Sequence, residues 1–405
     1  MTEDDVLDPS WMRLEGDFEG QVQSLFSYVR LSRDEVEGLH FLFRDVEDTL
    51  RIKWPGCEVI PFGSIVTGMG IRTSDVDCYV HIPPWYKRPG DKMVNTARNI
   101  LRRRSHIFAQ LFSIATAKVP IVKFYHVPTR RNCDLSFKSP NGVRNSKLIC
   151  YLLHLDKRAQ DLAILVKYWS KVHHLTGTNL MPNYALTLLV IFYLQHIDIL
   201  PSVLALQEIP SHDPVDGWNT AFEECHHPND NYSSLHDVVG GFFSFYSTFR
   251  FDENIISPFL GYPIVRESFK KLTDVPDAFQ LYKDNLSNKL CMPLKVDTAM
   301  CVQDPFDHSR NCTVGVFPKL AQKMCEFFRL AAKVYEKETN ENFLKVLLSA
   351  QPQTVPAAVG KKPKIQNKVV KPRRPDQNFK NMKKNLQNNL HAMFAHINSK
   401  QRGKR

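Results

Sequence analysis

The sequence predicts an α+β chain of 405 residues: a small mixed β-sheet domain, then a mainly helical domain, then a disordered basic C-terminal tail. Three observations predict it. Short apolar runs bounded by Pro and Gly fill residues 54–140, the pattern of short strands. After Gly142 the apolar residues recur at helical spacing in long segments. From Lys361 to Arg405 there are 14 Lys and Arg against one acid, Asp376. That stretch is poor in aromatics and rich in Asn, Gln, Lys and Pro, a composition that cannot build a packed core.

The elements follow in order. Residues 1–20 read as a loose acidic lead. Its start, Met1-Thr2-Glu3-Asp4-Asp5, lacks the apolar stretch of a secretory signal. Residues 21–53 read as N-terminal helices packing on the central domain. Val36, Leu39, Leu42, Phe43 and Val46 share one face of the second, and Pro55-Gly56 breaks it. Strands are expected at Cys57 to Pro61 and Val76 to Ile82, the latter ended by Pro83-Pro84. Residues 91–112 read as one helix with a basic face of Arg98, Arg102, Arg103 and Arg104. Val119 to Val127 and Cys133 to Phe137 read as two more strands, completing a sheet domain over 54–140. Helices are expected near 144–175, 183–198, 233–248 and 315–337 of a helical domain spanning 141–348. Pro- and His-rich loops separate them, notably 208–231. Residues 349–405 form a linker and the basic tail.

Composition limits the function classes. The 43% apolar content and 26 Phe suffice for real cores. No apolar run reaches the ~18–20 residues of a membrane span; the longest, Ala185 to Leu194, reads as a buried helix. Nine scattered Cys without a C-x-x-C fit reduced intracellular thiols. Glu224-Cys225-His226-His227 lacks a second ligand pair at metal spacing and reads as a polar loop. The tail carries +13 of the net +11 charge, so residues 1–360 are near neutral at −2. Lys361-Lys362-Pro363-Lys364 and Lys371-Pro372-Arg373-Arg374 read as nuclear-import or nucleic-acid-binding clusters, or as a solvating tail.

The chemistry concentrates in Phe62-Gly63-Ser64 and, ten residues on, Asp75-Val76-Asp77. Two acids one residue apart on a strand share a face. Their repulsion is costly unless a cation neutralises them. Mg²⁺ is commonly held by one or two carboxylates plus substrate phosphates, and a Gly-Ser turn offers N–H groups and a hydroxyl to phosphate. Asp134, in Asn132-Cys133-Asp134-Leu135-Ser136-Phe137, lies within an apolar strand. There it is expensive unless paired or metal-bound. Asp75, Asp77 and Asp134 together make a three-carboxylate site for two metal ions.

With these motifs the chain resembles the poly(A) polymerase-like terminal nucleotidyltransferases, in particular the terminal uridylyltransferase group of the DNA polymerase β-like superfamily, over about residues 35–340. Gly-Ser, a spacer, Asp-x-Asp and a later acid are each present. Val119-Pro120-Ile121-Val122-Lys123-Phe124 resembles the strand before the third acid. The resemblance implies a palm-like catalytic domain and a helical nucleotide-recognition domain. It implies that Gly63 and Ser64 cradle phosphate and that Lys167 and Lys171 grip the triphosphate. The two lysines share a helix face at i, i+4; alone they would read as a solvated face. Asn145 and Ser146, in the turn beginning Gly142, would read the ribose, although Asn145 also suits a helix N-cap. Asn183-Tyr184 stands where the family has Ser-Tyr, with Tyr184 stacking on the base; alone, such a Tyr would read as core. Val238 to Tyr246 reads as packing.

The base-selecting loop would be Gln303 to Asn311, with Asp304 and Asp307 at family positions. Arg310 stands where uridylyltransferases carry His. Arg only donates, so facing the base it would accept uracil O4 and disfavour the adenine amino group; paired to Asp304 or Asp307 it would be a loop ion pair.

The implied activity is Mg²⁺-dependent addition of ribonucleotides to an RNA 3′ end, with Mn²⁺ as an alternative ion, UTP as preferred donor and ATP as runner-up. The implied partners are a single-stranded RNA 3′ end, the nucleoside triphosphate and a protein that supplies RNA targeting. A monomer is expected, in the nucleus or nucleolus, with the cytoplasm as alternative. A catalytically silent RNA-binding scaffold would be marked by loss of a triad acid, and none is lost. A sibling enzyme making a nucleotide second messenger would need no RNA.

Overall fold

The computed structural model describes residues 7–87, 92–117, 119–208, 211–224 and 229–352. The Cys225-His226-His227 sequence, the first six residues and the basic tail lie outside the described residues. Among the described residues no helix is long and apolar enough to cross a membrane.

The chain opens with α1 (Phe18–Val29) and α2 (Arg33–Arg51). A capping box starts α2: the Ser32 hydroxyl takes the Glu35 N–H, and Glu35 returns a carboxylate to the Ser32 N–H. The two helices part company. Phe18, Val22, Leu25 and Val29 of α1 enter the helical core. Leu39, Leu42, Val46 and Leu50 of α2 enter the sheet core. The expectation that both pack on the central domain is corrected for α2, whose apolar stripe covers the sheet.

Five strands form that sheet: β1 (Glu58–Phe62), β2 (Val76–His81), β3 (Phe108–Ile114), β4 (Ile121–His126) and β5 (Arg131–Ser136), in the order β1-β2-β5-β4-β3. Only β2 and β5 run parallel; the other neighbours are antiparallel, so the sheet is mixed. The period of two splits the side chains. Val76, Cys78, Val80, Val122, Phe124, Cys133 and Leu135 pack beneath α2 and α3 (Met93–Leu101). Asp77, Asp134 and Lys123 fall on the opposite face.

The single helix expected over 91–112 is corrected. The α-helix ends at Leu101, Arg102–Arg104 make one 3₁₀ turn, and β3 follows as an edge strand. The basic face is partly absorbed: Arg98 donates to Ser113 Oγ at 3.1 Å and Arg104 to Thr49 Oγ1 at 2.8 Å.

The helical body holds α4 (Asn141–Leu155), α5 (Lys157–Val172), α6 (Asn183–His196), α7 (Leu235–Thr248), α8 (Pro318–Lys337) and α9 (Asn340–Ser349). The long helix expected from 144 breaks at Asp156. That residue is extended (φ −142°, ψ 130°) and caps α5 by accepting the Arg158 N–H. Trp169 of α5 packs against Phe243 of α7 and Phe328 of α8. Within the expected 208–231 loop, β6 (Pro214–Val215) and β7 (Trp218–Asn219) form a short hairpin. Its turn, Asp216-Gly217, has positive φ at both residues, as a two-residue hairpin turn demands. Asp216 accepts from Ser139 Oγ at 2.7 Å and Asn141 Nδ2 at 3.0 Å, tying the hairpin to the start of α4.

Candidate active site

A cavity of about 390 Å³ opens between the end of β1, the Asp75–Asp77 segment and helices α4, α5 and α6. The Gly-Ser turn forms its floor. Gly63 has φ +76°, and a Cβ there would stand 2.5 Å from Asp77 Oδ2, so only Gly fits. Its N–H is already used: it donates to Ser146 Oγ at 2.7 Å, and that hydroxyl donates to the Gly142 carbonyl at 2.7 Å. Ser146 thus holds the turn. Gly63, Ser64, Asp75, Asp77, Asn145, Ser146, Lys167, Lys171, Asn183, Tyr184 and Arg310 all line the cavity. Asp134, Asp304 and Asp307 do not.

Asp77 and Asp134 are register partners on the two parallel strands. Burial, then the charges of Asp134 and Asp75, push the Asp77 carboxyl up to about 7. Asp134 is partnered differently: Lys123 Nζ lies 2.7 Å from its Oδ2 across β4 and β5. Burial raises Asp134 as well, opposed by that lysine. Among the described residues no group of three or more His, Cys, Asp and Glu is arranged to hold a metal ion. Asp75 and Asp77 nonetheless fit a hard cation. They are oxygen donors lining the cavity, and the charge of Asp134 beside Asp77 adds a repulsion that a cation would offset.

Lys167 is buried, and its Nζ donates to the Met69 carbonyl and to Ser74 Oγ, each at 2.9 Å. Burial, and then Lys171 beside it, lower Lys167 to about 7, while Asp77 and Asp75 pull the other way. Lys171 Nζ reaches Thr73 Oγ1 at 3.1 Å. Thr73 and Ser74 therefore aim both lysines. Sequence reading passed over them, although they directly precede Asp75.

The far wall is a polar knot. Asn145 Nδ2 donates to Tyr184 Oη at 2.7 Å and to Asp304 Oδ2 at 3.0 Å, and Tyr184 Oη donates to the same oxygen at 3.1 Å. Asn145 lies within α4, so it is not an N-cap. Asp304 Oδ1 accepts the N–H groups of Phe306 and Asp307, each at 3.1 Å. Asp307 Oδ1 takes the Ser309 N–H and hydroxyl at 3.1 and 2.6 Å. Both acids shape the loop from behind. Arg310 does two things at once: Nη1 stands 3.6 Å from Asp304 Oδ2, and its guanidinium carbon stands 5.7 Å from the Tyr184 ring centre.

Known proteins carry the same frame. Residues 18–154 match the family described as poly(A) RNA polymerase, mitochondrial-like, central palm domain. The fold resembles the crystal structure of mtPAP in complex with ATPγS, with a TM-score of 0.71 at 21% identity over 86% of this chain and 75% of that one. Residues 18–154 thus carry the likeness of a poly(A) polymerase-like palm domain. Among curated proteins, the chain is 25% identical to the speckle targeted PIP5K1A-regulated poly(A) polymerase of Danio rerio, over 58% of this chain and 36% of that protein. It is 26% identical to terminal uridylyltransferase 7 of Homo sapiens, over 72% of this chain and 19% of that protein. The chain spans between about a third and a little over half the length of the first curated relatives it matches. Asp75, Asp77, Asp134 and the Gly-Ser turn all lie within the residues that match the palm domain.

Proposed function

We propose that this nucleotidyltransferase adds ribonucleotides to the 3′ end of single-stranded RNA, with UTP as its preferred donor. The observation that carries the reading is one cavity lined by Asp75 and Asp77 together with Lys167 and Lys171. Carboxylates able to bind a cation share one cavity with lysines able to bind phosphate, which is the charge pattern of a metal–triphosphate site. Mg²⁺, or Mn²⁺, bound by Asp75 and Asp77 with Asp134 beside them, would offset phosphate charge and acidify the attacking hydroxyl.

The chain's own residues do the positioning. Lys167 and Lys171, held by Ser74 and Thr73, bind the triphosphate as point charges. Ser64 offers its hydroxyl to phosphate on the floor that Ser146 braces. Asn145 spends its amide hydrogens on Tyr184 and Asp304 and keeps a carbonyl oxygen for the ribose 2′-hydroxyl. Tyr184, with its hydroxyl tied to Asp304, offers a ring for the base. Arg310, seated over that ring, presents only donors, which suits uracil O4 and opposes the adenine amino group. Asp304 and Asp307 act behind this wall.

Polyadenylation is the second reading, favoured by relatives named poly(A) polymerases. The tail's sequence supports nuclear or nucleolar residence, with the cytoplasm as alternative, and a targeting partner for the RNA.

Primer extension tests the reading: single-stranded RNA, Mg²⁺ and each of ATP, CTP, GTP and UTP, beside an Asp75→Ala/Asp77→Ala control. Extension with UTP, lost in the control, supports it. Extension chiefly with ATP moves the assignment to polyadenylation. RNA binding without extension by any nucleotide turns the protein into a scaffold, and product without RNA points to second-messenger synthesis.

A further inference from the structure

One row of paired residues crosses the whole sheet: Phe62 on β1, Asp77 on β2, Asp134 on β5, Lys123 on β4 and Phe112 on β3. The nucleotide cavity takes the β1–β2 end, since Phe62, Asp75 and Asp77 line it. The β4–β3 end stays open. The Lys123 side chain is 41% exposed and Phe112 is 59% exposed.

Phe112 reaches this face through a defect in the strand. Phe108 pairs with His126 and Ala109 with Tyr125, but a bulge follows, and Phe112 then pairs with Lys123. An unbroken antiparallel register would have set Phe112 opposite Val122, on the buried side. One extra residue flips it. Gln110 sits in the bulge with φ +51°, a conformation uncommon for a residue with a side chain. The fold thus carries local strain and leaves a large apolar ring in water, beside a lysine and in line with two carboxylates. Bulges that re-aim a side chain are concentrated next to active sites.

We infer that the β3–β4 end of this row, with Phe112 as a stacking platform and the Asp134-paired, half-exposed Lys123 beside it, receives the 3′-terminal nucleotides of single-stranded RNA. The inference rests on the proposed transfer to RNA. It follows from where the free approach lies: a hydroxyl attacking a triphosphate seated over β1–β2 must arrive from the other side of Asp77 and Asp134. An aromatic face beside a cation is what single-stranded RNA recognition uses, because every base has a π-face and every link a phosphate. Tyr125 stands on the same face two residues from Lys123, opposite Asn132, and extends the platform.

The test uses the full chain and a labelled single-stranded RNA. Phe112→Ala should raise the KM for RNA, and the Kd by fluorescence anisotropy, roughly 5- to 100-fold, with the KM for UTP unchanged. Phe112→Trp should restore both. A photoreactive 3′-terminal uridine should crosslink to the β3 or β4 peptide. Wild-type RNA constants in Phe112→Ala, or crosslinking confined to the helical body or the tail, would overturn the inference while wild-type extension stands. A protein partner docked on this edge would also leave the RNA constants unmoved and overturn it. A wild-type protein that neither binds nor extends RNA would bring down the functional reading itself, and this inference with it.

Discussion

Gly63 and Asp77 are in such close approach that a single added methyl would stand 2.5 Å from the carboxylate. The glycine is therefore a spacing device: it lets the Gly-Ser turn lie directly on the acid. Gly63→Ala must shift the turn or rotate Asp77, and it must also hold a residue with a side chain at φ +76°. The backbone cost is about 1–3 kcal/mol. The larger effect should be on transfer, where a misplacement of about 1 Å costs ~10²-fold. Steady-state kinetics beside a melting curve would separate the two. A variant that melts lower yet keeps its kcat/KM would refute the spacing role.

Lys123 supplies the positive charge that Asp134 lacks from elsewhere, and it stands in the same cross-strand row as Asp77. Removing it by Lys123→Met leaves three acids to repel one another. Added Mg²⁺ should then raise the melting temperature of Lys123→Met more than that of the wild type, because an ion that binds only the folded state stabilises it by mass action. Asp75→Ala/Asp77→Ala should lose the Mg²⁺ response. Equal shifts in all three proteins would mean that these carboxylates do not hold the ion.

Asp77 and Asp134 were legible because acids inside apolar strands stand out, whereas Asp75, expected on the same strand, lies just ahead of Val76, where β2 begins. β4 and β5 were legible because alternation survives in them, and β1 and β2 because short apolar runs are bounded by Pro and Gly. β3 was missed: Arg102-Arg103-Arg104 prolongs the amphipathic pattern of α3, and the bulge at Gln110 destroys the period of two that would have announced a strand. The break at Asp156 had a local signal, an N-cap residue before Lys157-Arg158, that the apolar pattern on both sides masked. The Asp216-Gly217 hairpin had one too, in a turn pair between Val215 and Trp218. The knot of Asn145, Tyr184 and Asp304 had none. Its members are up to 159 positions apart, and only packing decides that one carboxylate oxygen serves both partners.

Lys167 should give nucleotide binding a pH dependence. Its ammonium is charged below about 7 and neutral above in the free protein, lowered first by burial and then by Lys171. Only the charged form attracts phosphate, so metal-free UTP affinity should be greatest below about 7 and fall as the pH rises through it. Bound phosphate favours the ammonium and carries the fall to higher pH. Lys167→Arg keeps its charge throughout, so the ratio of wild-type to Lys167→Arg affinity should decline with rising pH. That ratio cancels the ionisation of UTP itself. A ratio that is flat across neutral pH would remove Lys167 from phosphate binding.

Arg310 is divided between Asp304 and the Tyr184 ring, and that division decides what it can read. Its Nη1 is 3.6 Å from Asp304 Oδ2, beyond a good hydrogen bond. That oxygen is already shared by Asn145 and Tyr184. Asp304 therefore steers the guanidinium electrostatically and leaves its donors for a ligand. If those donors meet uracil O4, Arg310→Ala should lower kcat/KM for UTP about tenfold, as expected for the loss of one charged hydrogen bond. ATP should be unchanged or improved, so the UTP-to-ATP preference collapses or inverts. Asp304→Asn should act differently: it weakens the hold on Arg310 and on the Tyr184 hydroxyl together, so both nucleotides should suffer. Competition assays with the two triphosphates in one reaction would measure the ratio directly. A preference that survives Arg310→Ala intact would place base choice elsewhere on the cavity wall, where Asn183, adjacent in sequence to Tyr184, can both donate and accept.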